Sequence, residues 1–444
     1  MTVLARLESG EVTSRDLVET ALRRIGHPQG QGRVAYRQVY RERALEAAER
    51  CDAIRAGGGG RALTGVPISF KDLFDVPGEV TLAGSTVLKS AQAATRYAAA
   101  LERLLAQQAV LMGRTNMTEF AFSGLGLNPH YGTPLSPWRR QEERIAGGST
   151  SGGAVSVAEG MALAALGSDT GGSVRIPATF CGLTGFKPTA RRISTRGAFP
   201  LSWTLDCVGV IAPTVNCCRL LDGVLSAQEK EQKRAGELSR LRIGIPTCLV
   251  MEGLDPEVER TFAAALERLD QAGVRVEEVA LQMLHEIPRH YRQGGLLAIE
   301  AYAAHRTLLE RSRHEYDPRV AVRIETGRGR LAADYLDLLR QRQAFIERLE
   351  RECSGFHLLA WPTVAVLPPR LNDLQDDEVY FSTNVIVLRN TSVANFLDRP
   401  ALSIPLRGRH GAPVGFMLSA PAMDDRRLLD LGCALEPALR SEGA

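Results

Sequence analysis

Gly147-Gly148-Ser149-Thr150-Ser151-Gly152-Gly153 and, a little further on, Gly167-Ser168-Asp169-Thr170-Gly171-Gly172-Ser173 are the stretches that decide how this chain reads. Each is a glycine-rich turn carrying serines. Upstream stands Gly65-Val66-Pro67-Ile68-Ser69-Phe70-Lys71, an apolar run that ends on a lysine. A serine nucleophile needs a base, and no histidine lies near either serine in the sequence. A neutral lysine acting through a relay serine would complete the chemistry. Lysine is scarce here: five of the 54 basic residues are Lys and the rest are Arg. Arginine keeps its proton at any usable pH, whereas a desolvated lysine loses it.

Working outward, the 444 residues allow about three domains at roughly 150 residues each, although large single α/β domains reach this length. Hydrophobic residues at 44% and charged residues at 24% are ordinary for a soluble globular protein and leave room for a large core. A net charge of +3 gives no reason to expect nucleic acid or an anionic membrane as partner. The eight cysteines are scattered without a C-x-x-C pair, which predicts reduced core thiols. The adjacent Cys217 and Cys218 read as core filling rather than a redox pair. The N-terminus has no apolar leader, and no long uncharged run spans a membrane. The cytoplasm is the expected compartment.

Thr13-Ser14-Arg15-Asp16 predicts a capped helix start, with Leu17, Val18, Leu22 and Ile25 following at helical spacing. A second helix is expected from Glu42 to Ile54, stopping at the glycine run 57–60. Strands are expected at 66–70, 109–113, 241–246, 274–276 and 357–362. Helices are expected at 103–108, 258–272 and through much of 300–352. The apolar run 154–166 reads as one buried helix opening at the first glycine-rich turn. A charged linker is expected over 226–240, with Lys230 and Lys233 in solvent. Alternating strands and helices argue an α/β fold.

A glycine-rich turn at a helix start is also an anion cradle, and by itself leaves nucleotide binding and a plain tight turn both open. Neither G-x-x-x-x-G-K-[ST] nor a strand-borne G-x-G-x-x-G is present. The second turn shifts the reading, because consecutive amides around Thr170 to Ser173 suit an oxyanion. The trio resembles the amidase signature family. Further matching pieces are Thr81-Leu82-Ala83-Gly84-Ser85, Gly113-Arg114-Thr115-Asn116, Val174-Arg175-Ile176-Pro177-Ala178, the segment 180–189 and Pro413-Val414-Gly415-Phe416. The similarity runs along nearly the whole chain, and is densest between Gly65 and Pro213.

The resemblance implies a single domain over 1–444, with a large mixed sheet covered by helices. Its signature core would be about 63–215, with a more variable helical substrate region at about 225–395. It implies Ser173 as nucleophile, Ser149 as relay serine preceded by a cis peptide bond, and Lys71 as base. The backbone amides of Thr170, Gly171, Gly172 and Ser173 would form the oxyanion hole. Thr150, Ala154 and Ser136 depart from the family pattern without touching the three catalytic side chains.

The expected reaction is hydrolysis of a linear carboxylic acid amide to the carboxylate and ammonia or an amine, through an acyl-enzyme and without cofactor. Two alternatives stand beside it: the glutaminase (A) subunit of a tRNA-dependent amidotransferase, and a non-catalytic binding protein on an amidase scaffold. The substrate pocket is expected from Phe120, Phe122, His130, Trp203 and parts of 300–395, the two Phe hinting at apolar acyl groups. His130 is a rival base for Ser173; a supporting place beside the cleft is expected instead. Asp169 and Arg175 should hold the second turn by hydrogen bonds. The charged helices 306–351 read as solvated. No metal site is expected: His285 and His290 come closest, and Pro288 between them spoils a shared helical face. The partner is a small-molecule amide, and a homodimer is left open.

Overall fold

Eleven strands form one mixed sheet in the computed structural model, which describes residues 3–228, 238–291 and 294–441. In chain order they are β1 (Tyr36–Val39), β2 (Pro67–Lys71), β3 (Val110–Thr115), β4 (Ala164–Asp169), β5 (Thr184–Lys187) and β6 (Cys207–Ala212). They continue as β7 (Arg242–Pro246), β8 (Arg275–Val279), β9 (Leu358–Pro362), β10 (Ala401–Arg407) and β11 (Pro413–Ser419). Across the sheet the order is β1-β3-β2-β4-β6-β5-β10-β11-β9-β7-β8. Parallel pairing joins β2 to β3 and β4, and β7 to β8 and β9. The strands between β4 and β9 pair antiparallel. This is the α/β fold expected from the alternation of elements, built on the one large mixed sheet that the resemblance implied.

Helices cover both faces, so the central strands are buried throughout, as in β2 and β4. The expected helix start at Thr13 is present. The Thr13 hydroxyl accepts from the Asp16 amide and the Asp16 carboxylate accepts from the Thr13 amide, opening the helix Ser14–Ile25. The second helix runs Arg41–Ala56 and stops at Gly57. The charged stretch 300–352 is three helices, Gly295–Ser312, Pro318–Glu325 and Ala332–Glu352. Most of the linker expected at 226–240, including Lys230 and Lys233, lies outside the described residues.

The apolar run 154–166 is not one helix. A helix spans Ser151–Ala158, and β4 begins at Ala164. Gly160 breaks the run: its φ is +65°, and a Cβ there would lie 1.6 Å from Arg24 Nη1. Apolar composition cannot separate a buried helix from a buried strand, so the break was invisible to periodicity.

That break builds the site. Because β2 and β4 run parallel in register, with Phe70 opposite Leu166, their C-terminal ends emerge side by side. One end carries Lys71; the other carries Ser168 and Asp169. All eight cysteines are free, six of them buried, with Cys217 and Cys433 partly exposed. Among the described residues no helix is long and apolar enough to cross a membrane.

Candidate active site

Lys71 is the last residue of β2 and is fully buried. Its Nζ lies 2.8 Å from Ser149 Oγ, 2.9 Å from Ser168 Oγ and 3.4 Å from the Ser168 carbonyl oxygen. No carboxylate hydrogen-bonds to it among the described residues. Burial pushes the amine down to about 7, with the charges of Asp169 and Asp206 opposing the shift. An uncharged lysine is therefore well populated near neutral pH, although a free one is almost wholly protonated.

Ser149 follows a cis Gly148–Ser149 peptide bond. Its segment is tied on both sides: Gly148 N donates to Gly124 O at 2.8 Å, and Thr118 N donates to Ser149 O at 3.2 Å. The next amide, Thr150 N, donates to the Ser173 carbonyl at 3.1 Å, which clamps the two glycine-rich turns together. Ser173 is 3% exposed and opens on a cavity.

Asp169, at the end of β4, organises the second turn. Its carboxylate accepts from the amides of Gly172 (2.8 Å) and Val174 (3.1 Å) and from Asn395 Nδ2 (2.9 Å). Arg175 grips both oxygens, Nε at 3.1 Å and Nη2 at 2.9 Å. Burial alone would raise this carboxyl, but the Arg175 guanidinium and these hydrogen bonds hold it well below the usual carboxylate range. Asp169 and Arg175 thus support the turn as expected. One expected oxyanion donor changes place, however: the Gly172 amide is spent on Asp169. Gly172 serves by shape instead, with φ at +135° and Thr391 Oγ1 2.1 Å from where a Cβ would be. Among the described residues the amides of Thr170, Gly171 and Ser173 have no acceptor, and these three residues line the cavity.

Two polar groups escaped the sequence reading. Ser168 is the second hydroxyl on Lys71; its place in the turn was visible, its contact was not. Asp206 is a partly buried carboxylate that accepts from Thr170 Oγ1 (2.6 Å) and from the amides of Leu201 (2.9 Å) and Ser202 (3.1 Å). Burial pushes it up to about 6, against these hydrogen bonds and the pull of Lys71. It couples the second glycine-rich turn to the loop that supplies Leu201 to the cavity wall. No motif distance links it to the serines, so only its proximity in space reveals it.

The cavity is about 440 Å³, within the roughly 300–1,000 Å³ usual for small-molecule sites. Of the four expected pocket residues it takes one, Phe122. Phe120 points inward. Phe120 and Ala121 both hold left-handed φ (49° and 60°), which turns the Phe120 ring into a cluster with Phe199, His305 and Tyr316. Ala121 and Phe122 are left facing the cavity. His130 reaches Glu119 Oε1 at 2.8 Å and is not a partner of either serine. Trp203 is 60% exposed and lies off the wall. The rest of the wall comes from far along the chain. It includes Leu249, Ile287, Pro288, Tyr291 and Leu297, and Arg323 with Asn384, Val385, Leu388 and Arg389. The expected contribution of 300–395 is real, though it brings arginines rather than a purely apolar lining. Among the described residues no cluster of His, Cys, Asp and Glu could hold a metal ion.

Comparison with known proteins gives the family. The family model described as Amidase matches residues 16–429. The chain is 34% identical to 2-amino-5-chloromuconic acid deaminase of Comamonas testosteroni, covering 99% of this chain and 95% of that protein. It is 32% identical to the A subunit of the glutamyl-tRNA(Gln) amidotransferase of Cupriavidus pinatubonensis (97% and 94% covered). A crystal structure of an amidase superposes with a TM-score of 0.88 at 31% identity, covering 99% of this chain and all (100%) of that one. By sequence and by architecture, then, the chain belongs to the amidase signature family, whose members hydrolyse amide C–N bonds.

Proposed function

We propose that this protein hydrolyses a small carboxylic acid amide through Ser173, Ser149 and Lys71, with an acyl-enzyme intermediate. The observation that carries this reading is the setting of Lys71. It is a buried amine whose side-chain partners are two hydroxyls, one of them on the segment clamped to Ser173. In the first step Ser173 Oγ attacks the amide carbonyl and gives its proton to Ser149 Oγ, whose own proton passes to neutral Lys71. The tetrahedral oxyanion forms against the amides of Thr170, Gly171 and Ser173, each such donor being worth about 3–4 kcal/mol. Lys71 then returns the proton through Ser149 to the leaving nitrogen as the C–N bond breaks. Water attacks the acyl-enzyme by the same relay and releases the carboxylate.

The glutaminase alternative is less well supported. No Asp or Glu stands among the described residues lining the cavity, so the α-ammonium of glutamine would find no counter-charge there. A simple amide without a cationic group suits the lining better.

Labelling with a fluorophosphonate probe tests the reading. The adduct should map to Ser173, and Ser173→Ala should abolish both labelling and ammonia release from a panel of amides. Turnover in Ser173→Ala above roughly a thousandth of wild type would reject Ser173 as the nucleophile.

A further inference from the structure

Two arginines and no acidic residue face the cavity among its described lining residues. Arg323 is already engaged: Nη1 donates to the Phe122 carbonyl, and the guanidinium sits 4.3 Å from the centroid of the Phe122 ring. Arg389 is different. It lies on the helix Asp377–Phe396, which turns Asn384, Val385, Leu388, Arg389 and Ser392 toward the cavity at helical spacing. Its Nε donates to Asn390 Oδ1 at 3.0 Å. Asn390 is itself locked, giving Nδ2 hydrogens to Val250 O and Pro362 O, both at 2.8 Å. The guanidinium is thereby oriented. Yet its Nη2 is buried with no protein acceptor.

A buried guanidinium N–H without an acceptor is costly, and the group that relieves it best is an anion. Glu252 is the one carboxylate whose charge reaches Arg389 noticeably. It is half-exposed and already accepts from the Leu249 amide (2.9 Å) and His285 Nε2 (2.7 Å). Among the described residues Arg389 makes no ion pair.

We infer that Arg389 is a specificity-determining residue that holds a carboxylate of the substrate, so that the preferred substrates are monoamides of dicarboxylic acids. This rests on the amidase reading above and narrows it. The Ser173 end of the cavity takes the amide and the Arg389 guanidinium the far carboxylate. Arg323 adds positive potential to the same space.

The test compares succinamate, glutaramate and adipamate with their uncharged counterparts butyramide, valeramide and hexanamide. Wild type should favour at least one charged amide in kcat/KM. Arg389→Leu should lower the charged-to-neutral ratio by roughly ten- to a hundredfold, the effect of losing one charge-assisted hydrogen bond. Arg389→Lys should restore part of it, as a point charge without the fork. A wild-type preference for the neutral members, or an unchanged ratio in Arg389→Leu, would overturn the assignment. Ser173→Ala supplies a readout that does not depend on the Arg389 variants folding. Its melting temperature should rise more with the preferred charged monoamide than with its neutral counterpart, and equal stabilisation would also overturn the assignment. Failure of the underlying reading looks different: amide turnover would persist in Ser173→Ala, whatever the charge of the substrate.

Discussion

The proposed proton relay and the cavity wall are built in opposite ways. The relay occupies the ends of two adjacent parallel strands and the two turns beside them. Lys71, Ser149, Ser168 and Ser173 are fully or almost fully buried; the first turn is held by backbone hydrogen bonds and the second by the Asp169–Arg175 pair. The wall is gathered from loops and helices between Ala121 and Ser392, and its members include the exposed Val385. The first region is a buried polar network in which Lys71 and Asp169 are each held by several partners, which makes it unforgiving. The second is a surface of mostly apolar side chains from separate elements, which tolerates substitution and thereby sets the choice of substrate.

That contrast ranks the expected effects of mutation. Lys71→Arg comes first: it keeps the charge but cannot take the proton, so kcat should fall by at least about a thousandfold. On the proposed mechanism the active form of the wild type is the neutral amine, brought down to about 7. Turnover should therefore be low in acid and rise through an apparent pKa near 7 to a plateau above it. Near-normal kcat in the variant, or a flat profile from about pH 6 to 9, would remove Lys71 from the relay.

Asp169→Asn is next. It leaves the Arg175 guanidinium buried without its counter-ion, and breaking such a pair costs about 3–5 kcal/mol. The urea midpoint should drop accordingly. A loss under about 1 kcal/mol would mean that the turn is held by something other than this pair.

The smallest effects lie in the wall, and there the comparison can be sharpened. Phe122→Ala should change kcat/KM by about tenfold, as a lining ring is lost and the Arg323 guanidinium loses its platform. Trp203→Ala should change it by less than about twofold, since that ring is in solvent. The reverse order would show that the catalytically competent cavity is walled differently from the one described.

The parts of the proposed relay were legible because they are local. Lys71 ends an apolar strand, and each serine sits in a glycine-rich turn, so chemistry and backbone geometry are written in consecutive residues. The fold class was legible for a similar reason, since strands and helices alternate along the chain. What failed was of a different kind. Residues 154–166 looked like one helix because an apolar run has no period to betray the strand inside it. Phe120 looked like a pocket residue because a left-handed backbone that turns its ring inward leaves no trace in composition.

By itself, then, the sequence pointed to the proposed chemistry: a lysine, two serines and the glycines that let the backbone approach them. Only the tertiary structure decided which amides remain free for an oxyanion, that Ser168 and Asp206 join the network, and that two arginines share the cavity. The reason is physical. Turn geometry depends on neighbours along the chain, whereas an amide's last hydrogen-bond partner and a cavity's charge depend on residues that meet only when the sheet and its helices have packed.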